Sequence, residues 1–291
     1  MSSVVGLVKR LARTTVIVLL VVLGSTILVR FAPGYLSDAR EMDSRYAAAA
    51  RVELSAEAAR SRSLPHMLAT EIGGWTHGNL GLSRQYGVPV QELIVPRLAV
   101  TGSLMLRSIL LAWTLALSLS LLSSAGRNPS LLWQAPAALL LAVPTAAMAT
   151  LCLLADSGGP VLVMTLLIAA RDFKFLDRIL RKSWRDPHLL QARAQGITTL
   201  RLVRAHILPN IASQLLALAT LSIVTALSAL VPVEVIFSVP GLGQLAWSAA
   251  LNRDLPVLLA ITMIMAIAVT CAGILSDHPD SPDRPGEWQT A

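Results

Sequence analysis

Apolar residues in this chain come in long runs: Thr14 to Ala32, about Thr101 to Ala125, about Leu131 to Ala155, Pro160 to Phe175, about Ile211 to Ile236, and Pro256 to Leu275. A helix of about 20 apolar residues crosses a hydrocarbon core of about 30 Å, so the longer runs each predict a membrane span. The first follows Lys9, Arg10 and Arg13, as a signal peptide would, but Ala32 is followed by Pro33 with no small-residue cleavage pattern, and it reads as a span. The run from Pro160 is ambiguous. Only Val161 to Ala170 is cleanly apolar before Arg171, Asp172 and Lys174, a length that by itself suggests a re-entrant or buried segment.

Charge decides that case. If the Pro160 segment spans, the short cytoplasmic parts hold Lys9, Arg10, Arg13, Arg127, the nine basic residues from Arg171 to Arg204, and Arg284, while the short outer loops hold only Arg253. If it does not, the nine fall outside, against the excess of Lys and Arg expected on the cytoplasmic side. The expected architecture is an all-α polytopic membrane protein with six transmembrane helices and both termini cytoplasmic. Residues 1–32 form the N-terminus and first span. Residues 33–97, with seven Arg and seven acidic residues and few large apolar side chains, form a small extracytoplasmic segment. Residues 98–276 carry the remaining spans, with a basic cytoplasmic loop at 171–209, and 277–291 form a tail rich in Pro and Asp.

Composition agrees. Of 291 residues, 54% are hydrophobic, 4% aromatic and 14% charged, against roughly 25% charged in soluble domains, and the mean hydropathy is +0.64. The net charge of +7 is explained by cytoplasmic loops facing anionic headgroups and implies no nucleic-acid partner. Cys152 and Cys271 lie inside apolar runs, and no Cys/His spacing points to a metal. No GxxxxGK[ST], GxSxG or HExxH is present, so the chain has neither a P-loop nor the motifs of a membrane hydrolase.

The basic loop contains the sharpest punctuation. Asp186 suits an N-cap, Pro187 the first helical position and Gly196 the left-handed residue that ends a helix, specifying roughly two turns between two stops. So short a helix is unstable alone. It either rests on its own membrane domain or docks a cytoplasmic partner. Leu189, Ala192 and Arg193 lie near one face, and the small Ala192 admits a close approach. Thr198 or Thr199 can cap a following helix that runs to Pro209.

Ala192, Gly196, Leu208 and Pro209 fall in the register of the cytoplasmic loop of ABC-importer permeases, and Ala192-Arg-Ala-Gln-Gly196 with His206-Ile-Leu-Pro-Asn210 resembles the peptide and nickel permease branch. Leu190 and Gln191 replace that pattern's Glu and first Ala, and His206 its Ile. Two further stretches resemble the same branch in the same order: Gly78-Asn-Leu-Gly81 with Pro89-Val-Gln-Glu-Leu-Ile94 and Arg97, where Asn79 replaces the usual Asp, and Val233-Glu-Val-Ile-Phe237 with Pro240-Gly-Leu-Gly243 and Arg253-Asp254-Leu-Pro256. The connection around Asp156 to Pro160 is shorter than the branch usually has. The resemblance implies a type I ABC importer permease fold in a bacterial inner membrane. It implies a pore shared with a second homologous permease, two ATP-binding subunits carrying ATP and Mg, an extracytoplasmic solute-binding protein, and no cofactor or catalysis on this chain. Residues 186–196 would be the coupling helix, and di- or oligopeptides lead the candidate solutes, ahead of nickel complexes.

Glu234 falls near the outer end of the fifth run, where its carboxylate is expected to reach interfacial water in a structural role, with a part in an outer gate as the alternative. Pro240-Gly241 after Phe237 forces a turn, and with Gly243 it suggests a plug or rim that moves with that span. Arg107, early in the second run with apolar residues on both sides, is expected to snorkel to the outer headgroups, with pore lining as the rival reading. A self-contained secondary transporter or channel is the rival reading, but it usually shows mid-membrane coupling carboxylates or an inverted repeat, and neither is visible.

Overall fold

The computed structural model describes residues 79–125, 131–184, 199–203 and 207–276, together with isolated positions among residues 12–27 and Gly73 and Gly74. The described chain is helical: α1 (Val90–Ala125), α2 (Leu131–Ala142), α3 (Thr145–Leu154), α4 (Pro160–Trp184), α5 (Thr199–Leu202), α6 (Leu208–Asn210), α7 (Ala212–Ile236), α8 (Leu242–Leu251) and α9 (Leu255–Ser276). Ahead of α1, a tight turn closes on an isolated bridge between Leu82 and Pro89.

Among the described residues, three helices have the length and apolarity to cross a membrane: Val90–Ser123, Ala212–Ile236 and Leu255–Ile274. The first begins ahead of the expected start near Thr101, because Val90 to Arg97 continue the helix despite Pro96.

The apolar stretch from Leu131 to Ala155, expected as one span, is two helices. α2 and α3 meet at a bend of 98°. Pro144 explains it: proline has no N–H to bond a carbonyl one turn back, and its ring clashes there. The helix stops before it and restarts with the Met148 N–H bonded to the Pro144 carbonyl (3.0 Å). The pair is a broken span or a re-entrant loop.

The ambiguous segment from Pro160 is one continuous helix of 25 residues, about 37 Å long at 1.5 Å per residue. It outruns its apolar half because its charged half is enclosed: Asp172 and Asp177 are buried along with Phe173, Leu176 and Leu180.

The chain divides into two compact units, one of Met1–Leu104, Ala149–Pro160 and Ala229–Ala268, the other of Met105–Met148, Val161–Ser228 and Val269–Ala291. In the first, Val90 and Ile94 of α1 pack with Leu242, Leu245 and Ala249 of α8 and with Val257, Ala260 and Ile261 of α9. In the second, Ala116, Ala137 and Ala170, from α1, α2 and α4, meet Phe173, Leu176 and Leu218. Lipid tails are as apolar as leucine, so helices in a bilayer associate through close packing, and alanines at the contacts permit it. A second cluster there gathers Leu180 of α4, Leu202 of α5, and Ile207 and Ile211 beside α6.

Candidate functional site

The first unit is organised around α8, which is fixed at both ends by buried carboxylates. α7 ends in a Schellman turn: the Val239 N–H bonds the Glu234 carbonyl (2.8 Å), the Ser238 N–H bonds that of Val235 (3.2 Å), and Ser238 takes the left-handed conformation at φ +54°. The chain then reverses at Pro240-Gly241 and α8 begins. Its N-cap, Gly241, has no side chain with which to satisfy the first N–H groups. Glu234 and Thr101 do so instead. Glu234 Oε2 accepts from the N–H groups of Gly243 (2.6 Å) and Gln244 (3.2 Å). Thr101 Oγ1 accepts from the Leu242 N–H (2.8 Å) and donates to Glu234 Oε1 (2.7 Å).

This arrangement accounts for both glycines. A Cβ at Gly241 would overlap the Glu234 carboxylate, and one at Gly243 would lie 2.9 Å from the backbone of Leu230 and Val231 and 3.0 Å from Glu234 Oε2. The expectation that Glu234 reaches interfacial water is corrected: it is fully buried. Burial is tolerable because three donors converge on the carboxylate and because it sits at the positive end of a helix dipole. Phe237 is half-buried and Pro240 exposed on the turn itself, while Gly241 and Gly243 are buried.

At its other end α8 closes in a second Schellman turn, with the Asp254 N–H on the Ala249 carbonyl (2.8 Å), the Arg253 N–H on that of Ala250 (3.3 Å), and Arg253 at φ +56°. Asp254, also fully buried, turns its carboxylate toward the segment ahead of α1. It accepts from the Ser83 hydroxyl and from the N–H groups of Arg84 and Gln85 (3.1 Å each), and Ser83 Oγ accepts from the Tyr86 N–H (3.0 Å). Asn79 serves the same turn, its Oδ1 accepting from the Gly81 N–H (3.0 Å), a task that the carbonyl of Asn performs as well as a carboxylate does. Gly81 is at φ +84° with Pro256 close by. Two sequence motifs far apart in the chain are thus one structure.

Of the loop residues, Asp186, Pro187, Leu189, Ala192, Arg193 and Gly196 lie outside the described residues. Leu208 and Pro209 fall in α6, exposed, with Pro209 in the first turn where its missing N–H leaves no acceptor empty. The buried anchors are their neighbours Ile207 and Ile211. Arg107 is exposed on α1.

Sequence reading passed over the polar groups inside the second unit. Trp113 Nε1 donates to Ser222 Oγ (3.1 Å), which donates to Asp172 Oδ2 (2.7 Å). Asp177 receives Gln134 Nε2 (3.0 Å) and Arg181 Nε (2.9 Å), and Arg181 reaches Ser123. The available signals were acidic residues immediately after an apolar decamer and the four-residue spacing of Asp177 and Arg181, which face each other on a helix.

A sequence profile described as the binding-protein-dependent transport system inner membrane component matches residues 99–280. A protein of Brucella suis named as a peptide permease is 26% identical over 94% of this chain and 93% of its own length. The oligopeptide transport system permease protein of Bacillus subtilis is 28% identical over 71% of this chain and 75% of its own. The metal-staphylopine import system permease protein of Staphylococcus aureus is 32% identical over 40% of this chain and 38% of its own. Components of this type are multi-pass inner-membrane subunits of ABC importers that work with ATPase and binding-protein partners and are not themselves catalytic. With its matched region running from within α1 to beyond the end of α9, the chain belongs to the family of binding-protein-dependent transport system inner membrane components.

Proposed function

We propose that this chain forms half of the pore of an importer for di- and oligopeptides, and that ATP hydrolysis on partner subunits reaches it through residues 171–209. The observation that carries the reading is the cluster of Leu180, Leu202, Ile207 and Ile211. It gives the segment with the Asp186, Pro187 and Gly196 punctuation a common anchored base at both ends. A short capped rod on such a base transmits a push, which a floppy loop would absorb. Leu189, Ala192 and Arg193 make the contact with the ATPase in this reading, and Leu208 and Pro209 close the loop.

The same reading gives six spans, the residues of α4 supplying the fourth and 14–32 the first, with both termini cytoplasmic, 33–97 and the turn ahead of α1 outside, and 277–291 a tail. A second homologous permease completes the pore, two ATP-binding subunits grip the coupling helices, and a solute-binding protein delivers the solute. Glu234, Phe237, Pro240, Gly241 and Gly243 form the rim of the outer gate. Peptides are favoured as solute because the relatives aligned over most of this chain are named for peptides, whereas the staphylopine relative aligns over 40% of it.

The test combines recovery and uptake. Tagged protein purified from its native membrane is expected to bring down P-loop ATPases and a second permease, and cells carrying it to take up a radiolabelled tripeptide. Gly196→Val and Ala192→Trp are expected to abolish uptake with membrane insertion intact. Uptake surviving both changes refutes the loop assignment, and uptake of metal chelates without tripeptide refutes the solute.

A further inference from the structure

The second unit contains a side-chain node at the C-terminal end of α4, next to the loop that the proposed function assigns to the ATPase. Asp177 is 1% exposed. Its carboxylate accepts from Arg181 Nε through both oxygens, at 2.9 and 3.0 Å, and from Gln134 Nε2 of α2 at 3.0 Å. The Arg181 guanidinium extends past it, and Nη2 donates to the Ser123 carbonyl (2.9 Å) and hydroxyl (2.6 Å) near the end of α1. A planar guanidinium holds two partners at fixed angles, which a lysine ammonium does not. The Ser123 carbonyl is in the last turn of its helix, where no intrahelical N–H remains to bond it.

An exposed ion pair one helical turn apart contributes little, and stabilising α4 alone would need nothing more. The observed geometry does more: each member of the pair spends its remaining hydrogen-bonding capacity on a different helix. Leu180, between them in sequence, points into the cluster with Leu202 and Ile207. We infer that Asp177 and Arg181 are positioning residues for energy coupling: they tie the base of the loop to α1 and α2, so that a displacement delivered at residues 185–198 moves the ends of three helices together. The inference rests on the reading of that loop as the ATPase contact.

The test uses the complete transporter, purified with its ATPase subunits and reconstituted in lipid nanodiscs. Spin labels are placed at the exposed positions Leu122→Cys and Arg178→Cys, with Cys152→Ser and Cys271→Ser. The α1 to α4 label distance is expected to be the same in the nucleotide-free and vanadate-trapped states. In Arg181→Gln it is expected to become state-dependent, and tripeptide uptake per ATP hydrolysed in proteoliposomes to fall on the order of tenfold, the scale of a coupling energy. Ser123→Ala, which keeps the backbone acceptor, should behave as the native protein. A distance that already differs between the states in the native protein, or an Arg181→Gln variant with unchanged distance and uptake per ATP, overturns the inference. If Arg181→Gln is not recovered from membranes, Gln134→Leu with labels at Leu139→Cys and Arg178→Cys decides it: a state-dependent distance supports the tie, and an unchanged one overturns it. Absence of ATPase subunits from the preparation removes the loop reading and the inference together, whereas their presence with separating labels removes the inference alone.

Discussion

Replacing Glu234 by Ala removes the acceptor of three hydrogen bonds, from the Thr101 hydroxyl and the N–H groups of Gly243 and Gln244. Thr101 can rotate its hydroxyl elsewhere, but the two N–H groups are fixed by α8. A buried donor left unpaired costs about 1–3 kcal/mol. Some relief comes from local relaxation, so the loss is expected at about 3–5 kcal/mol. For a protein of this size that corresponds to a fall in unfolding midpoint of roughly 10 °C. Glu234→Gln keeps the shape and one acceptor oxygen for the two N–H groups, but turns an amide donor toward Thr101, whose hydroxyl proton loses its bond to Glu234 Oε1 and must rotate away. It should cost about 1–2 kcal/mol. The assay is thermal unfolding of the purified chain in one detergent, followed by far-UV circular dichroism. Thr101→Val completes a cycle in which the double variant Thr101→Val, Glu234→Ala should be less destabilised than the sum of the singles by about 1–2 kcal/mol. An Ala variant within about 2 °C of the native midpoint, the equivalent of less than roughly 1 kcal/mol, or strict additivity in the cycle, refutes the cap.

Two other changes follow from the same geometry. Gly241→Ala puts a Cβ where the Glu234 carboxylate lies, so it should reproduce the Glu234→Ala destabilisation and add little to it in the double variant, measured by the same melting curves. Asp254→Ala leaves three donors of the Ser83 to Gln85 turn without their acceptor. Amide hydrogen exchange at residues 84–87 should accelerate by on the order of tenfold or more, from bonds to a charged group worth about 1.5–3 kcal/mol each, with the α9 amides unchanged. Equal acceleration in α9 would mean that Asp254 supports the whole unit and not the turn.

The long apolar runs predicted α1, α7 and α9 to within a turn at most ends, because a bilayer demands a continuous apolar helix of fixed length and tolerates little else. Where the rule is satisfied by composition and broken by one residue, composition misleads. Leu131 to Ala155 is apolar enough for one span, and Pro144 bends it by 98°. The opposite failure occurs in α4. Its apolar stretch, Val161 to Ala170, suggested by length alone a re-entrant or buried segment, yet Asp177 and Arg181 sit on the enclosed side with partners from α1 and α2, so the helix continues to Trp184. Partners contributed from distant sequence cannot be read from a local window. Glu234 was marked as costly and hence important, but its placement in water followed from the length of the run alone. The proximity of Thr101, 133 residues away, is what permits full burial.

The glycines and prolines that carry the family resemblance near Glu234 and Asp254 have a common physical origin. Pro240-Gly-Leu-Gly243 is where a helix starts against a carboxylate. The first glycine leaves space for that carboxylate, the second lets α8 pass the backbone of α7, and leucine between them, buried in the core with α1 and α9, fixes the direction of the helix. Arg253-Asp254-Leu-Pro256 is where the same helix stops, and its carboxylate is committed to Ser83 and its neighbours, just past Gly78-Asn-Leu-Gly81. A substitution in any one of these stretches therefore leaves a buried acid or buried N–H groups unmatched in another, whereas a compensating change would have to occur at a distant position at the same time. Such coupling opposes piecemeal substitution in these motifs, whereas the surrounding apolar positions, interchangeable among Leu, Ile, Val and Ala at similar volume, are free of it. The loop motif differs in kind: under the proposed function Ala192 and Gly196 answer to a partner that packs against them, so their constraint comes from outside this chain.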